Sequence, residues 1–589
     1  MTNHDIPRSD LRVSHCLAAL AAVAILAWLV LPGLRWGLPS EERNVLTLGA
    51  DRSAWRAPAV PEREKESPWE YYPNNLSGGP KRTGAVPRSE FNPMRSYHPD
   101  EYVFLKSLSA MKPLELKFFP GFFGWPALQF YVSGAALEVS SWFGAATLVR
   151  DMDFYFQHPG QMARLYEVGR IVTLLFAAGG ILVIWRAAGR LFGPAGGNAA
   201  ALLLAVTPLF TVNARYWTAD VPMLFWISLA LLFSTHILAG GGRRWYVLGG
   251  IAIGLAASTR YQGAAAAFLI AAAHWLRPDS GTERCARGRR FFVSKELWLS
   301  AAISLAVFLA CNPYVISRPR QFAQEFSGEL RGSHDSLAQF APIGPLSAVT
   351  GLGLIFIFAL LAAFLLAIVR RDRAISFVFL GFGPPAVILF LGLPAMARYW
   401  MPVLPLPVLL VAWAFATVHR RGVERRKPGA KVAPPILLLI VLFAAGLQSL
   451  AFGRLYADPK CDTRTRAGEW IAENIPAGSS IGVLSDPWQF ELPPMNAKKY
   501  SIVITGWTAT RRRFLDFMVT SDLQTQTAGE LPTMVRLRGG ISYVPVQTFQ
   551  AWPAGFKFSL QRGPQDMHYA NPEITAAQPF PSPTFKSER

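Results

Sequence analysis

Charge is what this sequence has least of. Only 16% of its 589 residues are Asp, Glu, Lys or Arg. An ordinary soluble chain carries about a quarter, so a soluble globular protein is excluded. Negative charge is the scarcer kind: 38 acidic residues face 58 basic ones, leaving a net charge of +20. Cysteine is rarer still. Cys16, Cys285, Cys311 and Cys461 are scattered, with no Cys-x-x-Cys pair, which argues against a disulfide framework or a structural zinc site. No internal repeat is visible, so an inverted-repeat transporter gains no support. The first apolar run, 17–31, lacks a small-residue cleavage site and is expected to be a retained span.

Apolar residues dominate instead. They make up 51% of the chain, with a mean hydropathy of +0.25. Several runs approach the roughly 20 residues that cross a bilayer, which identifies a polytopic, mainly α membrane protein. Eleven spans are expected, at 13–32, 168–190, 194–212, 219–239, 244–258, 261–276, 296–312, 346–369, 374–394, 399–418 and 434–453. The basic excess sits mostly in short loops between these runs, where positive charge sets topology. A nucleic-acid partner is therefore not expected.

Those loops also assign the sides. Arg186 and Arg190, Arg243 and Arg244, "RPDSGTERCARGRRFFVSK" (277–295), "RRDR" (370–373) and "HRRGVERRKPGAK" (419–431) should all face the cytoplasm. The alternation works if 126–145, which carries Glu138, is a juxtamembrane helix lying in the interface. The N-terminus is then cytoplasmic and the C-terminus extracytoplasmic. A transmembrane domain over 1–453 is expected, with 33–125 as a long first external loop. Residues 454–560 read as a small extracytoplasmic α/β domain. Within it "TRTRAGEWIAENIPAG" and "RRRFLDFM" suggest helices, and "SIGVL" and "YSIVITG" suggest strands. The Pro-rich end, 561–589, is expected to lack fixed structure.

On the outer side the polar exceptions cluster. Asp100 and Glu101 lie in "SYHPDEY", and Asp220 lies in "NARYWTADVPMLFW". Arg260 and Tyr261 interrupt an apolar stretch in "AASTRYQGAAA", and Arg398 opens a span in "AMARYWMPVLP". His334 and Asp335 fall in the loop 313–345. Each has a bland reading. The acids could simply start helices, where negative charge suits the macrodipole. Arg260 could snorkel, Arg398 could anchor at the interface, and His334 could be an ordinary loop residue. Against this, ionisable groups at a membrane boundary are costly to desolvate and call for a partner or a purpose. Adjacent helical residues diverge by about 100°, so only one carboxylate of the Asp100–Glu101 pair can point into a given site in the same way.

In order and sidedness these segments resemble the GT-C superfamily of integral-membrane glycosyltransferases. The likeness is greatest to the bacterial branch related to protein O-mannosyltransferases and to the lipid A aminoarabinose transferase. It covers about 90–420. "HPDEYVFLKSLSA" resembles the Asp-Glu pair of the first external loop, and "FFPGFFGWPALQFYVSGAAL" the aromatic stretch that leads to a juxtamembrane helix. "ALLLAVTPLFTVNARYWTADVPMLFW" resembles the segment with a second external Asp. "GLAASTRYQGAAA" and "ARYWMPVLPLPVLL" resemble the later Arg-Tyr elements. Relatives often carry an acid with Lys, or His-Pro-Pro, at the aromatic stretch; here "FFGWP" offers only Trp125 and Pro126.

The resemblance implies a GT-C bundle whose donor is a sugar on a polyprenyl phosphate, drawn from the outer leaflet. Asp100 would be the general base, with Glu101 beside it. Arg260, Tyr261 and Arg398 would hold the donor phosphate. Asp220 would orient the acceptor, or share a divalent metal ion with Asp100. His334 and Asp335 are candidates for acceptor contact. One base without a second nucleophile implies a single displacement with inversion. The acceptor (protein, lipid or glycan) and the sugar stay open. A transporter or flippase of lipid-linked sugars, or an O-antigen ligase or polymerase, is the alternative. Arg and Ala richness points to a GC-rich bacterial genome, hence to a bacterial inner membrane.

Overall fold

Helices account for most of the computed structural model, which describes residues 13–57, 84–85, 92–278, 291–335, 349–370, 372–392, 396–424, 428–484, 489–505, 515–525, 535–536, 542–551, 565–568, 570 and 572–579. Five of the described helices are long and apolar enough to cross a membrane: Cys16–Gly33, Pro159–Phe192, Asp220–Leu238, Arg373–Phe390 and Lys431–Ala457. A sixth is counted if Ala397–Val403 and Pro405–Glu424, bent by 56°, form one span. By this measure the expected eleven is not reached, and the reasons are local. The 194–212 run divides into Pro194–Val206 and Pro208–Asn213, because Pro208 has no N–H to continue the ladder. Arg243–Thr259, Lys295–Cys311 and Leu354–Arg370 are helices of 17 residues each. Cys285 and most of the 277–295 loop lie outside the described residues.

The chain divides into two compact units. The first comprises Met1–Pro32, Phe119–Ser133 and Arg170–Gly453, and holds most of the apolar helices. Small residues set their spacing. A Cβ on Gly250 would lie 2.5 Å from the Ser300 carbonyl oxygen, and one on Gly254 would lie 2.7 Å from that of Ser304. Gly250 and Gly254 are four apart, as are the two serines, so Arg243–Thr259 and Lys295–Cys311 approach backbone to backbone. This is the close packing that glycine permits between membrane helices.

The second unit comprises Gly33–Phe118, Gly134–Gly169 and Arg454–Arg589. The described residues of 33–118 therefore fold with the C-terminal segment. Its centre is a seven-stranded sheet: β1 (Gly84–Ala85), β2 (Ser480–Val483), β3 (Ser501–Ile504), β4 (Phe517–Ser521), β5 (Val535–Arg536), β6 (Ser542–Phe549) and β7 (Ile574–Pro579), in the order β1-β3-β2-β4-β7-β6-β5. β2 runs parallel to β3 and β4, whereas β7 is antiparallel to both β4 and β6. The helix Thr463–Asn474 starts at Asp462, whose carboxylate accepts from the backbone N–H groups of Arg464 and Thr465. Its Ala467 and Ile471 pack on Ile481, Val483, Val519 and Ile574 of the sheet.

Two expectations are corrected here. "RRRFLDFM" does not end as a helix: Phe517 and Met518 belong to β4, a strand buried along its whole length between β2 and β7. Pairing on both sides overrides the local pattern. The end beyond 561 is not uniformly without structure either, because Ile574–Pro579 is an inner strand. Residues 511–514 and 580–589 lie outside the described residues.

Just after β4, Asp522 is buried where it meets Glu573, exchanging backbone and side-chain hydrogen bonds of 3.0 and 3.1 Å. Burial, reinforced by the Glu573 charge, pushes its carboxyl from an ordinary 3.8 up to about 7. Between these values the folded protein holds a proton that the unfolded chain releases. Stability is therefore greatest below pH 4 as far as this group is concerned, and is lost as pH rises toward about 7. The contribution is on the order of a few kcal/mol. The second unit should melt higher at about pH 5 than at about pH 8, and Asp522→Asn should flatten that difference. An unchanged slope in the variant would assign the effect to another group.

Candidate functional site

The Asp220–Leu238 helix opens with its acid. The N-cap position is Ala219, which makes no side-chain cap, and Asp220 is the first helical residue. Its carboxylate is fully buried and neither oxygen makes a hydrogen bond among the described residues. What it meets is Arg260, whose Nη1 lies 3.2 Å from Asp220 Oδ1. The capping reading of Asp220 is thus not what the geometry supports.

Arg260 is placed by a break in the backbone. Its N–H closes the last turn of Arg243–Thr259 on the Ala256 carbonyl, 3.0 Å away. Its own φ and ψ are extended at −148° and 142°, and a 3-10 helix, Tyr261–Ala266, follows. Gly263 makes the turn possible: a Cβ there would stand 2.3 Å from the Ala256 oxygen. The side chains of Arg260 and Asp220 are 9% and 1% exposed. An ion pair taken out of water recovers its desolvation cost only with good geometry and further hydrogen bonds. Here the carboxylate has no such bonds among the described residues.

Aromatic walls surround the pair. The Arg260 guanidinium carbon lies 5.9 Å from the Trp125 ring centroid and 5.8 Å from that of Tyr399. Arg398, also buried, lies 5.9 Å from the same Tyr399 ring. Trp125 is held from both sides. Before it, Phe123 donates its N–H to Glu325 Oε2 at 2.5 Å and accepts at its carbonyl from the Tyr261 hydroxyl at 2.7 Å. After it, the Ala127 N–H donates to Asn312 Oδ1 at 2.8 Å, and Asn312 Nδ2 donates to Ser258 Oγ and to the Phe308 carbonyl. Sequence reasoning missed Asn312 and Glu325. Asn312 could have been noticed as a polar residue closing an apolar run before Pro313; Glu325 carries no local signal. Trp125, which looked like an absence of the usual polar group, is a wall of the site.

Beside Tyr261 the same unit contains an apolar cavity of about 660 Å³, lined among others by Ala257, Trp298, Leu305, Phe308, Phe322 and Phe326. Leu305 and Trp298 are also exposed on the protein's surface.

Asp100 and Glu101 belong to the other unit. They are 7% and 0% exposed, and Glu101–Ala110 is a helix with Asp100 at its N-cap position. Asp100 has helical φ and ψ and makes no capping bond with its side chain. Its backbone N–H donates to His98 Nδ1 at 3.3 Å, a contact of the "HPDE" turn that sequence reasoning did not single out. The structure thus brings Asp220, Arg260 and Tyr261 together, with Arg398 reaching the Tyr399 ring that Arg260 also approaches. His334 and Asp335 end the helix Pro319–Asp335 and do not sit in a loop; their side chains lie outside the described residues. Among the described residues no three or more His, Cys, Asp and Glu side chains are grouped to hold a metal ion.

Comparison with known proteins agrees with the motif reading. Residues 165–312 match the family model described as dolichyl-phosphate-mannose-protein mannosyltransferase. No curated protein matches the chain. Among solved structures, the oligosaccharyltransferase of Archaeoglobus fulgidus, tethered to an acceptor peptide, is 14% identical with a TM-score of 0.46, covering 88% of this chain and 72% of that one. ArnT of Cupriavidus metallidurans, bound to undecaprenyl phosphate, is 14% identical with a TM-score of 0.45, covering 96% and 98%. The mycobacterial arabinofuranosyltransferase AftD is 14% identical with a TM-score of 0.40, covering 97% and 42%. The family match covers about a quarter of the chain and includes the segments that carry Asp220 and Arg260.

The buried pair makes a stability prediction. Asp220→Asn leaves the Arg260 charge without its counter-ion and should destabilise the protein by about 3–5 kcal/mol, read as a drop in melting temperature in detergent. Arg260→Gln added to Asp220→Asn should cost much less than the two single changes summed. Simple additivity would show that the two charges are not coupled.

Proposed function

We propose that this chain is a glycosyltransferase that moves a sugar from a polyprenyl-phosphate carrier to an acceptor hydroxyl at the extracytoplasmic membrane surface. The observation that carries the reading is the Asp220–Arg260 pair, buried at a helix break and adjoining, through Tyr261, an apolar cavity. A lipid phosphate needs both features, a desolvated cation for the headgroup and an apolar trough for the first isoprene units.

In the proposed reaction the bond between the sugar's anomeric carbon and the phosphate oxygen breaks as the acceptor oxygen attacks from the opposite face. The acceptor proton passes to Asp100, assigned as base by the resemblance, and the anomeric configuration inverts. Negative charge grows on the departing polyprenyl phosphate. Arg260 supplies charge-assisted hydrogen bonds there, and Arg398 is assigned the same task. When the phosphate takes over part of Arg260, the Asp220 carboxylate is freed to orient the acceptor hydroxyl. Trp125 and Tyr399 limit water around the guanidinium, which strengthens these interactions. Glu101 supports the turn that carries Asp100. The positive-inside pattern supports a cytoplasmic N-terminus and an extracytoplasmic C-terminal segment, and Arg and Ala richness supports a bacterial inner membrane.

The test uses purified protein in nanodiscs with radiolabelled undecaprenyl-phosphate-linked hexoses and pentoses. A glycosylated product supports the proposal; relocation of donor between leaflets without product supports a flippase. Asp100→Asn should lower turnover by about 10²–10⁴-fold with donor binding retained. Arg260→Gln should weaken donor binding as well as turnover. Full activity in Asp100→Asn would remove the base assignment.

A further inference from the structure

Tyr97 stands three residues before Asp100 and is 1% exposed. The guanidinium carbon of Arg43 lies 3.9 Å from its ring centroid, and that of Arg464 lies 4.6 Å away. Arg43 comes from the Glu41–Leu48 helix, and Arg464 from the Thr463–Asn474 helix of the C-terminal segment. All three residues belong to the same unit.

The two cations are themselves fixed. Arg43 Nη1 donates to the Arg95 carbonyl at 2.7 Å. Arg464 is fully buried and donates to the Ala570 carbonyl at 3.0 Å and, with two nitrogens, to the Phe490 carbonyl. The Trp36 ring lies 5.8 Å away, centroid to centroid, and Gly37 closes a further side. It sits at φ +63°, accepts the Tyr97 N–H at its carbonyl, and a Cβ on it would lie 2.7 Å from Tyr97 Cβ. Beyond Tyr97 the chain is tied locally: the His98 carbonyl accepts from Ser96 Oγ at 3.1 Å and from the Glu101 N–H at 3.4 Å. A short, closed turn of this kind moves as one piece, so whatever locates the Tyr97 ring also locates Asp100.

We infer that Arg464 and Arg43 are positioning residues that act through the Tyr97 ring, so that the C-terminal segment holds the catalytic acid's turn in place by cation–π attraction. The inference rests on Asp100 as the base. It gives the C-terminal segment a part in the reaction: Arg464 bonds the backbone around Phe490 and Ala570 on one side and the ring of the acidic turn on the other. Water is excluded from all three groups, where a cation–π contact is strongest.

The experiment compares full-length protein in nanodiscs with phenylalanine or 3,4,5-trifluorophenylalanine at position 97. The fluorines leave the ring's size almost unchanged and cancel its negative face. Amide exchange over 98–103 should be about tenfold faster in the fluorinated protein, with exchange in β4 the same in both. Equal rates over 98–103 overturn the inference. Faster exchange in β4 as well would show a general loss of stability, and also overturns it. In turnover of the labelled donor, kcat should fall by a similar factor while KM for the donor stays constant. A matching rise in KM with constant kcat counts against positioning. Asp100→Asn is measured in parallel. If it is fully active, the base assignment fails. If it is inactive and the fluorinated protein exchanges like its reference, only the clasp fails.

Discussion

A carboxylate and a guanidinium buried 3.2 Å apart at a helix break set the conditions for everything near them. Neither ion is cheap to keep there. The helix Arg243–Thr259 stops, the backbone turns extended at Arg260, and Gly263 comes so near Ala256 that no side chain fits between them. The neighbouring aromatic stretch is then strapped here by a hydrogen bond from Tyr261 and by backbone N–H groups that donate to Glu325 and Asn312. Such a site holds a charge in readiness in a dry surrounding.

A contrast within the same unit sharpens the point. Arg215 is even more buried than Arg260, and it donates to the carbonyls of Thr211 and Leu29. Those partners are backbone groups that cannot leave, so Arg215 ties helices together. Arg260 faces a side-chain carboxylate instead. Burial alone does not distinguish the two arginines; the kind of partner each one meets does.

Much of this was legible in the sequence, and for physical reasons. Long apolar runs declare membrane helices whatever their packing, and a lone "TRY" inside such a run marks a break because no helix would place an arginine there without cause. The Thr463–Asn474 helix and the strands β2 and β3 follow from local periodicity. What could not be read was anything set by distant pairing. "RRRFLDFM" has a helical pattern, yet Phe517 and Met518 are recruited by β2 and β7. The Pro-rich end looked unstructured because nothing local shows that β4 and β6 leave a strand-wide space for Ile574–Pro579. Length and apolarity do not show where Pro208 divides the 194–212 run, so the count of eleven spans is not confirmed among the described residues. Trp125 was read as a missing ligand since its role depends on what Asn312 and Glu325, some 200 residues away, do to its neighbours.

The order β1-β3-β2-β4-β7-β6-β5 puts β7, which follows both of its neighbours in the chain, in the interior of the sheet. While the ribosome still holds residues 574–579, β4 and the β6–β5 hairpin have no common neighbour, and each presents an unpaired edge. The sheet therefore cannot close progressively behind the growing chain. It must wait, with strand edges unpaired, for Ile574–Pro579 to slot between them. Its assembly is a late, all-at-once event, and the interval before it is when such a chain is most vulnerable to proteases and to pairing with its own copies.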